Sequence, residues 1–244
     1  MSEVKTDKLS PRTASGTVTL GTSGDTFTIP SGVTLTNNGS SSGFDSGLAS
    51  VQTFTSSGTW TRPSGITKVI VEVQGAGGGG GYISHAANNG GAGGGGGYAK
   101  KLIDVSSISS ATITVGSAGS LGNSGARQGV AGGDSVWFDG TNTVTGGGGL
   151  GGSGGGTNTS YDGGSGGTAS GGDLNINGVK AGFSSTTQEN AGDSVLGTGR
   201  AIHAISTAGP FIPATGYGGG GLGGDQSATQ GGSANGIVIV TEYK

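Results

Sequence analysis

Runs of glycine are the first feature that could do chemistry, because phosphate-binding loops are rich in glycine. Five glycines stand in a row at 77–81 and five more at 93–97. A nucleotide-binding loop needs Gly-x-x-x-x-Gly-Lys-Ser/Thr between a strand and a helix. No glycine run is followed by Gly-Lys-Ser or Gly-Lys-Thr, and no helical pattern comes after one. We therefore expect no nucleotide site and no cofactor.

Paired carboxylates would suit hydrolysis of a glycan, which needs an acid and a base or nucleophile at a set separation. The carboxylates in the glycine-rich part of the chain occur singly, mostly beside Gly or Ser. In such places aspartate usually accepts hydrogen bonds within a turn. Turn capping is the interpretation we favour, and a polysaccharide depolymerase stays as an alternative. These residues are Asp134, Asp139, Asp162, Asp173, Glu189, Asp193 and Asp225.

The spacing of the residues does not indicate a metal site or a catalytic nucleophile. His85 and His203 lie far apart, and neither has a second ligand at metal-binding spacing. The stretch Gly151-Gly-Ser153-Gly-Gly is close to a nucleophile elbow, but it lacks the strand–turn–helix context that the motif requires. The chain has no cysteine, which excludes thiolate sites and disulfides. We predict no catalytic residue and no metal site.

Composition narrows the possible partners. Glycine supplies 61 of 244 residues, charged residues only 10%, and the net charge is −3. The few Lys and Arg residues are scattered, so nucleic-acid binding is not expected. No apolar run approaches the roughly 20 residues that cross a bilayer, and the polar start, Met1–Ser10, does not resemble a signal peptide. We expect no membrane insertion, and assembly into a virion released by lysis would fit.

The first fifty residues have their own pattern. Short alternating stretches such as Thr17–Leu20, Thr26–Ile29 and Val33–Thr36 are separated by turn residues. Strands this short cannot bury enough surface alone. They would stack as coils of a β-helix or be shared between the chains of a trimer. We predict that residues 1–50 form an N-terminal β segment for virion attachment or trimerisation.

The remainder, 51–244, alternates strand patterns with glycine runs. Lys68–Val73 is the clearest strand, with Val69, Val71 and Val73 on one face. The terminal strand pattern, Gly236–Tyr243, contains the uninterrupted apolar run Ile237–Val240, so we expect it at the centre of a sheet, beside the Val69 strand. A turn-rich link is predicted at Ser56–Gly65. The aromatic residues Trp60, Trp137 and Phe138 are predicted to lie in the core. Further strands are predicted at Val51–Thr55, Ala99–Val105, Ala111–Val115, Asp134–Phe138 and Leu174–Asn177.

Three structures could account for the glycine. A flexible linker would not alternate with β-branched strands, and collagen needs glycine at every third residue with abundant proline. Only five prolines occur, and the three-residue spacing of Gly116, Gly119, Gly122 and Gly125 is a fragment. Packed polyglycine II segments, hydrogen-bonded to one another, are the structure we favour. The predicted fold is an all-β, glycine-rich domain with polyglycine II segments between short strands.

The stretch from Phe54 to Gly78, with its Gly-Thr-Trp60, nearby Pro63, apolar strand and Gly-Ala-Gly-Gly, resembles the opening of the glycine-rich domain of bacteriophage tail-fibre proteins. The closing Gly236-Ile-Val-Ile-Val-Thr-Glu-Tyr243 resembles the end of that domain. The resemblance covers about 51–244. In composition the chain is also similar to tail-tip adhesins of T-even-like phages. This resemblance implies polyglycine II packing and receptor binding through loops.

Aromatic residues between the glycine runs are the candidate recognition residues. Loops on a rigid scaffold commonly carry binding residues, and aromatic side chains anchor interfaces. Capping of the glycine bundle is an equally good explanation of these aromatics. The candidate loops are Tyr82–Asn89, Thr157–Asp162, Phe183–Asn190 and Ile202–Tyr217. The candidate receptor-binding residues are Tyr82, His85, Tyr161, Phe183, His203, Phe211 and Tyr217.

Together these features predict a tail-fibre subunit that is not an enzyme and that recognises a host cell-surface receptor, an outer-membrane protein or a glycan, without covalent chemistry. It would act from the virion at the host surface. Its expected partners are that receptor, other virion tail proteins bound through residues 1–50, and further copies in a homotrimer. A virion structural or decoration protein without a receptor role is the second alternative.

Overall fold

The computed structural model describes residues 17–19, 22–26, 28–34, 36, 47–83, 90–124, 127–155, 161–182, 189–199, 201–202, 213–224 and 232–244. The chain forms two compact units, Met1–Asp45 and Ser46–Lys244. In the first unit the described residues contain two turns, in which Asp25 N–H donates to Thr22 O and Val33 N–H to Pro30 O. Gly24 and Gly32 have positive φ in these turns, at 96° and 83°. The turns therefore lie where the sequence predicts them.

The second unit contains two five-stranded antiparallel sheets. The first sheet has the strand order β1-β14-β3-β4-β9 and the second β2-β5-β6-β7-β8. Two small ribbons, β10 with β12 and β11 with β13, are separate from them. The strands are β1 (Leu48–Phe54), β2 (Gly58–Thr61), β3 (Lys68–Gln74), β4 (Tyr98–Asp104), β5 (Ser110–Thr114), β6 (Ser135–Phe138), β7 (Thr143–Gly146), β8 (Ala169–Ser170), β9 (Leu174–Ile176), β10 (Glu189–Asn190), β11 (Gly197–Thr198), β12 (Ala201–Ile202), β13 (Thr215–Gly216) and β14 (Ile237–Tyr243).

The faces of the two sheets enclose one apolar core. In β3 the buried residues are Val69, Val71 and Val73, the alternate positions that the sequence assigns to one face. β14 lies between β1 and β3, with Val238 opposite Val73 and Val240 opposite Val71. The predicted central position of the last strand is thus confirmed. Trp60 and Trp137 come from the second sheet and pack with ring centroids 5.1 Å apart.

Three details of the second sheet differ from the sequence interpretation, and the first is that β7 and β8 lie where no strand was predicted. Gly58–Thr61, within the stretch predicted to be a turn-rich link, is the strand β2. It pairs with β5 and brings Trp60 into the core. Phe138, predicted to be buried, is 47% exposed. It follows Trp137 directly, and consecutive residues of a strand point to opposite faces, so only one of the pair faces the core.

Glu242 is a fully buried carboxylate near the end of β14. Its Oε1 accepts hydrogen bonds from Trp60 Nε1 and Gln52 Nε2, each at 2.7 Å, and its Oε2 accepts one from Ser50 Oγ. Ser50 and Gln52 belong to β1, whereas Trp60 belongs to the second sheet. The carboxylate therefore joins β1 and β14 of the first sheet to β2 of the second, and these hydrogen bonds compensate for the cost of burying its charge.

Beyond the sheets, glycine-rich stretches run as extended segments that bond to one another. We number them in chain order and use these numbers throughout. They are segment 1 (75–83), segment 2 (90–97), segment 3 (115–124), segment 4 (127–134), segment 5 (147–155), segment 6 (161–168), segment 7 (177–182), segment 8 (191–193), segment 9 (218–224) and segment 10 (232–236).

Segment 1 shows the repeat that governs the packing. Its backbone N–H groups at 75, 78 and 81 donate to segment 2, and those at 76, 79 and 82 donate to segment 4. Its carbonyl groups accept from segments 3, 5 and 9, and Gly77 N–H donates to segment 10. A partner that recurs at every third residue is the signature of a helix with three residues per turn. The predicted polyglycine II packing is confirmed, with six neighbours around segment 1.

Segment 2 is a second centre of the same kind. It donates to segments 5, 7 and 9 and accepts from segments 1, 6 and 8. The eight remaining segments form a ring around the two centres in chain order, from segment 3 to segment 10. Segment 10 closes the ring, because Gly236 N–H donates to Gly116 O of segment 3 at 2.9 Å. Each segment is thus hydrogen-bonded to its chain neighbours as well as to a centre.

The close approach of the segments explains why so many positions are glycine. A Cβ atom at Gly78 would lie 2.1 Å from Leu150 O, and one at Gly94 would lie 2.1 Å from Ser165 O. In segment 3 only one residue in three is buried. Gly116, Gly119 and Gly122 are buried and the residues between them are partly or fully exposed, and Gly119 and Gly122 donate to segment 1. The collagen-like spacing in the sequence therefore marks one face of segment 3.

Gln74 joins the sheets to the bundle of segments. Its side chain is fully buried, and its Nε2 donates to Gly96 O at 2.9 Å and to Gly97 O at 3.0 Å. Its Oε1 accepts from Leu196 N–H at 3.3 Å. These bonds satisfy backbone groups where β3 and β4 continue into the two central segments. No helix long and apolar enough to span a membrane occurs in the described part of the chain.

The crowding predicts that Gly78→Ala destabilises the second unit by about 3 kcal/mol, because the new methyl group would force neighbouring backbones apart. Gly58→Ala is the matched control: a Cβ there has nothing within 4 Å, and we expect a change within about 0.5 kcal/mol. Denaturant unfolding of both variants measures the difference. Equal stabilities would mean that the segments are not packed this closely.

Glu242 gives a second stability prediction. Glu242→Leu should lower the free energy of unfolding by about 3 kcal/mol, because the buried Trp60 N–H loses its acceptor. Glu242→Gln keeps one carbonyl oxygen and should lose clearly less. Asp104→Leu serves as control, since Asp104 is an exposed carboxylate at the end of β4 that accepts from Ser106 N–H at 2.9 Å, and its replacement should cost only a small fraction of that loss. Denaturant unfolding measures all three variants. If Glu242→Leu proved as stable as the parent chain, the carboxylate would not be holding the sheets together.

Candidate functional site

The ends of the segments define the candidate site. Odd-numbered segments run away from the sheets and even-numbered segments return, as shown by their antiparallel bonds: Gly75 to Gly97, Gly78 to Gly94, and Gly81 to Gly91. With about 3.1 Å per residue, segment 1 reaches about 25 Å from Gly75 to Ile83. We call the end of the bundle away from the sheets the far end. Each odd-numbered segment therefore ends at the far end, and the next even-numbered segment begins there.

Five connections join these outgoing and returning segments, and the described residues on both sides of each lie toward the far end. The connections themselves, 84–89, 125–126, 156–160, 183–188 and 225–231, lie outside the described residues. Three of the four candidate loops predicted from the sequence correspond to such connections. The fourth, Ile202–Tyr217, starts at β12, which pairs with β10, and returns through β13.

Two of the candidate tyrosines lie close to Gly155 at the far end, Tyr82 through its backbone and Tyr161 through its ring. Tyr82 N–H donates to Arg127 O at 2.7 Å, and Tyr82 O accepts from Gly155 N–H at 3.1 Å. The phenol of Tyr161 lies over Gly155, where an added Cβ would come within 2.4 Å of the phenol oxygen. Both tyrosines are partly exposed. The structure therefore gathers Tyr82 and Tyr161, which are far apart in sequence, around one glycine.

Two charged residues lie close to these tyrosines in the bundle. Arg127 begins segment 4 and Asp162 follows Tyr161 in segment 6, and both residues are exposed. Asp162 O accepts from Ser153 N–H at 3.0 Å, which holds segment 6 against segment 5. We call the group of Tyr82, Arg127, Gly155, Tyr161 and Asp162 the tyrosine rim. Arg127 and Asp162 were not singled out as recognition residues from sequence, because nothing in the spacing shows that segments 4 and 6 end beside Tyr82.

Tyr217 lies elsewhere. Its backbone N–H donates to Leu196 O at 3.1 Å, and the next residue, Gly218, opens segment 9 at the end nearest the sheets. The structure therefore does not bring Tyr217 together with Tyr82 and Tyr161. The other four candidate residues, His85, Phe183, His203 and Phe211, lie outside the described residues.

The carboxylates considered for hydrolysis accept backbone hydrogen bonds where the structure describes them. Only Asp139 does so within its own turn, from Thr141 N–H at 2.9 Å and Asn142 N–H at 2.6 Å, whereas the bonds of Asp134, Asp193 and Asp173 span six residues or more. Asp134 accepts from Gly148 N–H at 2.8 Å and Asp193 from Gly199 N–H at 2.8 Å. Asp173 accepts from Leu102 N–H at 2.9 Å, and this bond holds the pKa of its carboxyl below its usual range. A general acid of a glycosidase needs a raised pKa instead. Among the described residues no three acidic or histidine side chains are grouped as metal ligands.

A family model described as a glycine-rich domain matches residues 50–243 of the chain. The matched range begins within β1 and ends at the last residue of β14. It therefore includes both sheets and all ten segments. A search of curated proteins finds no sequence that matches this chain.

The position of the Tyr161 ring over Gly155 leads to a prediction about the stability of two neighbouring glycine variants. Gly155→Ala should displace the Tyr161 ring with little loss of stability, since the atoms nearest the new methyl belong to that side chain. Gly154→Ala should cost about 3 kcal/mol, because its methyl would lie 1.9 Å from Arg127 O, a backbone atom. Thermal unfolding compares the two neighbours. A larger loss for Gly155→Ala would show that the ring is locked in place.

Proposed function

The chain belongs to the glycine-rich domain family, and we propose that it is a bacteriophage tail-fibre subunit that recognises a host cell-surface receptor at the far end of its segment bundle. One observation carries this proposal: the five connections between outgoing and returning segments are flanked by residues at a single end, away from the sheets. Recognition residues commonly sit in loops that a rigid scaffold positions. A bundle that collects its connections at one end is suited to contact a surface.

The composition of that end supports binding. The tyrosine rim presents two partly exposed tyrosines, one cation and one anion on backbone that is fixed by hydrogen bonds. Tyrosine and arginine are among the residues that contribute most to recognition. A rigid backbone reduces the entropy lost on binding. The receptor contact would require no covalent chemistry, and this role would place the protein in the virion, acting at the host surface.

The proposal also includes partners for the N-terminal residues. Residues 1–50 would attach the chain to other virion tail proteins or to further copies in a homotrimer. The alternating pattern of the first unit supports this, as does the exposure of its described apolar residues, Val18, Ile29 and Val33. Sedimentation of the full chain is the direct measurement. A trimer mass would support the homotrimer, and a monomer mass would exclude it.

The test of receptor binding adds the purified chain to susceptible host cells and measures saturable binding and slowing of phage adsorption. We expect Tyr82→Ala and Tyr161→Ala each to weaken binding about tenfold. Tyr217→Ala is the matched control, because it removes the same partly exposed side chain at the opposite end of segment 9. All three variants should keep the parent unfolding temperature to within a few degrees.

Each alternative function has its own outcome in this experiment. A folded chain that binds no host cell would indicate a virion structural or decoration protein. Release of reducing ends from host polysaccharide would indicate a depolymerase. Equal loss of binding in all three tyrosine variants would contradict recognition at the far end.

A further inference from the structure

The first sheet presents one of its two faces to solvent. The valines of β3 point into the core, so the residues that alternate with them point to the opposite side of the sheet. Cross-strand pairing places four side chains of that side in one row, from Val51 of β1 through Thr241 and Ile70 to Leu102 of β4. Val51 and Leu102 are 54% and 55% exposed. We call this side of the sheet, with that row across it, the outer face.

Exposed apolar residues continue beyond the row. In β9, Leu174 pairs with Lys100 and Ile176 with Tyr98, two positions of β4 that lie on the same side as Leu102. Leu174 and Ile176 are both exposed. A contiguous apolar area on a protein surface usually marks a site of interaction with another molecule. The outer face is therefore a candidate docking surface, and its charges indicate the partner.

Four charged side chains flank the apolar row. The pairing of β3 with β4 sets Lys68 opposite Asp104 on one side of the row and Glu72 opposite Lys100 on the other. Lys100 Nζ lies 2.7 Å from a carboxylate oxygen of Glu72. Each pair contains one cation and one anion, and the order of the signs is reversed between the two pairs. The charges thus alternate around the four corners of an apolar centre.

This alternation makes the outer face complementary to itself. A two-fold axis in the plane of the face, parallel to the strands and between β3 and β4, would set Lys68 against Asp104 of a second copy and Glu72 against Lys100 of that copy. A two-fold axis at right angles to the strands would set Lys68 against Glu72 and Asp104 against Lys100. Opposite charges meet in both arrangements, and the apolar centre meets itself. Two-fold contacts of one patch with itself are the commonest in homo-oligomers.

The size of the outer face is compatible with such a contact. Four strands of the first sheet have seven residues each. At about 4.8 Å between strands and about 3.4 Å per residue, they cover roughly 20 Å by 24 Å, or roughly 500 Å² of face. Two copies would bury about 1,000 Å² in total, which is near the lower limit of specific interfaces. The association should therefore depend on concentration.

We propose that two copies of this chain associate through the outer face of the first sheet, packed face to face about a two-fold axis. Sheets that pack in this way lie about 10 Å apart, which brings long charged side chains of the two copies within reach of one another. This inference goes beyond the proposed receptor function and does not rest on it, because the outer face belongs to the sheets and the proposed receptor site to the far end of the bundle.

Sedimentation equilibrium of the full chain, over a wide range of concentration, tests the association. The mass of the parent chain should double as concentration rises, whatever the mass of the smallest species. Leu102→Asp should weaken this doubling at least about tenfold, because it buries an unpaired charge in the contact. Leu150→Asp is the matched control, since Leu150 is 52% exposed but lies on segment 5, away from the sheets. Both variants should keep the parent unfolding temperature to within a few degrees.

Charge reversal tests the two-fold arrangement itself. The double variant Lys68→Glu/Lys100→Glu makes all four corners anionic, and Glu72→Lys/Asp104→Lys makes all four cationic. Each double variant alone should associate at least about tenfold more weakly than the parent chain, because like charges would meet. An equimolar mixture of the two should regain the association of the parent chain, in a complex that contains one copy of each.

Three outcomes would overturn the inference. One is a parent mass that does not change with concentration, and another is equal weakening by Leu102→Asp and Leu150→Asp. The third is a mixture of the two charge variants that associates no better than either variant alone. None of these outcomes would affect the proposed receptor function, whose test is binding to host cells.

Discussion

The structure depends on one constraint. The glycine-rich segments form no hydrogen bonds within themselves, so their backbone N–H and C=O groups must bond to other segments. An extended helix with three residues per turn points its N–H and C=O groups outward in three directions. Residues without Cβ atoms let the neighbouring backbones approach most closely, and the few side chains that the bundle buries, such as Ala92 and Leu222, pack together. Ordering glycine costs about 1–2 kcal/mol per residue in backbone entropy, at the upper end of that range. A cooperative set of hydrogen bonds around segments 1 and 2 offsets this cost, and isolated segments could not.

The same constraint explains why the bundle is joined to a pair of sheets. Antiparallel strands such as β3 and β4 deliver two segments side by side and in register, so the first hydrogen bond, between Gly75 N–H and Gly97 O, is already in place where the strands end. Polar side chains reinforce the junction, since Gln74 bonds to carbonyl groups of segment 2 and Ser135 Oγ accepts from Gly116 N–H at 3.0 Å. The apolar core thereby supplies the fixed ends from which the glycine segments propagate.

Much of this could be predicted from the sequence, and the limits have physical reasons. Alternation identified the β3 face, and the uninterrupted apolar run placed β14 at the centre of its sheet. Composition and the alternation of strands with glycine runs indicated polyglycine II. The sequence interpretation missed β2, because Gly58 and the flanking serines are typical of turns while its partner strand lies about fifty residues away. Order around the ring was beyond prediction, since glycine residues carry no side chains that specify neighbours. For the same reason the meeting of Tyr82, Arg127 and Tyr161 could not be foreseen.

The packing also distinguishes glycines that are enclosed by backbone atoms from a glycine at the far end that is covered by a side chain, and this difference matters for recognition. Within the bundle a side chain is blocked by backbone: at Gly77 a Cβ would lie 1.9 Å from Gly219 O. At the far end the nearest obstacle to a Cβ at Gly155 is the phenol of Tyr161, a side chain that can rotate about its own bonds. Substitutions that ruin the scaffold and substitutions that reshape its tip therefore fall on different residues. A protein with this division could change its ligand by altering tip residues while keeping its hydrogen-bonded segments unchanged, a property that suits a receptor-binding subunit facing variable host surfaces.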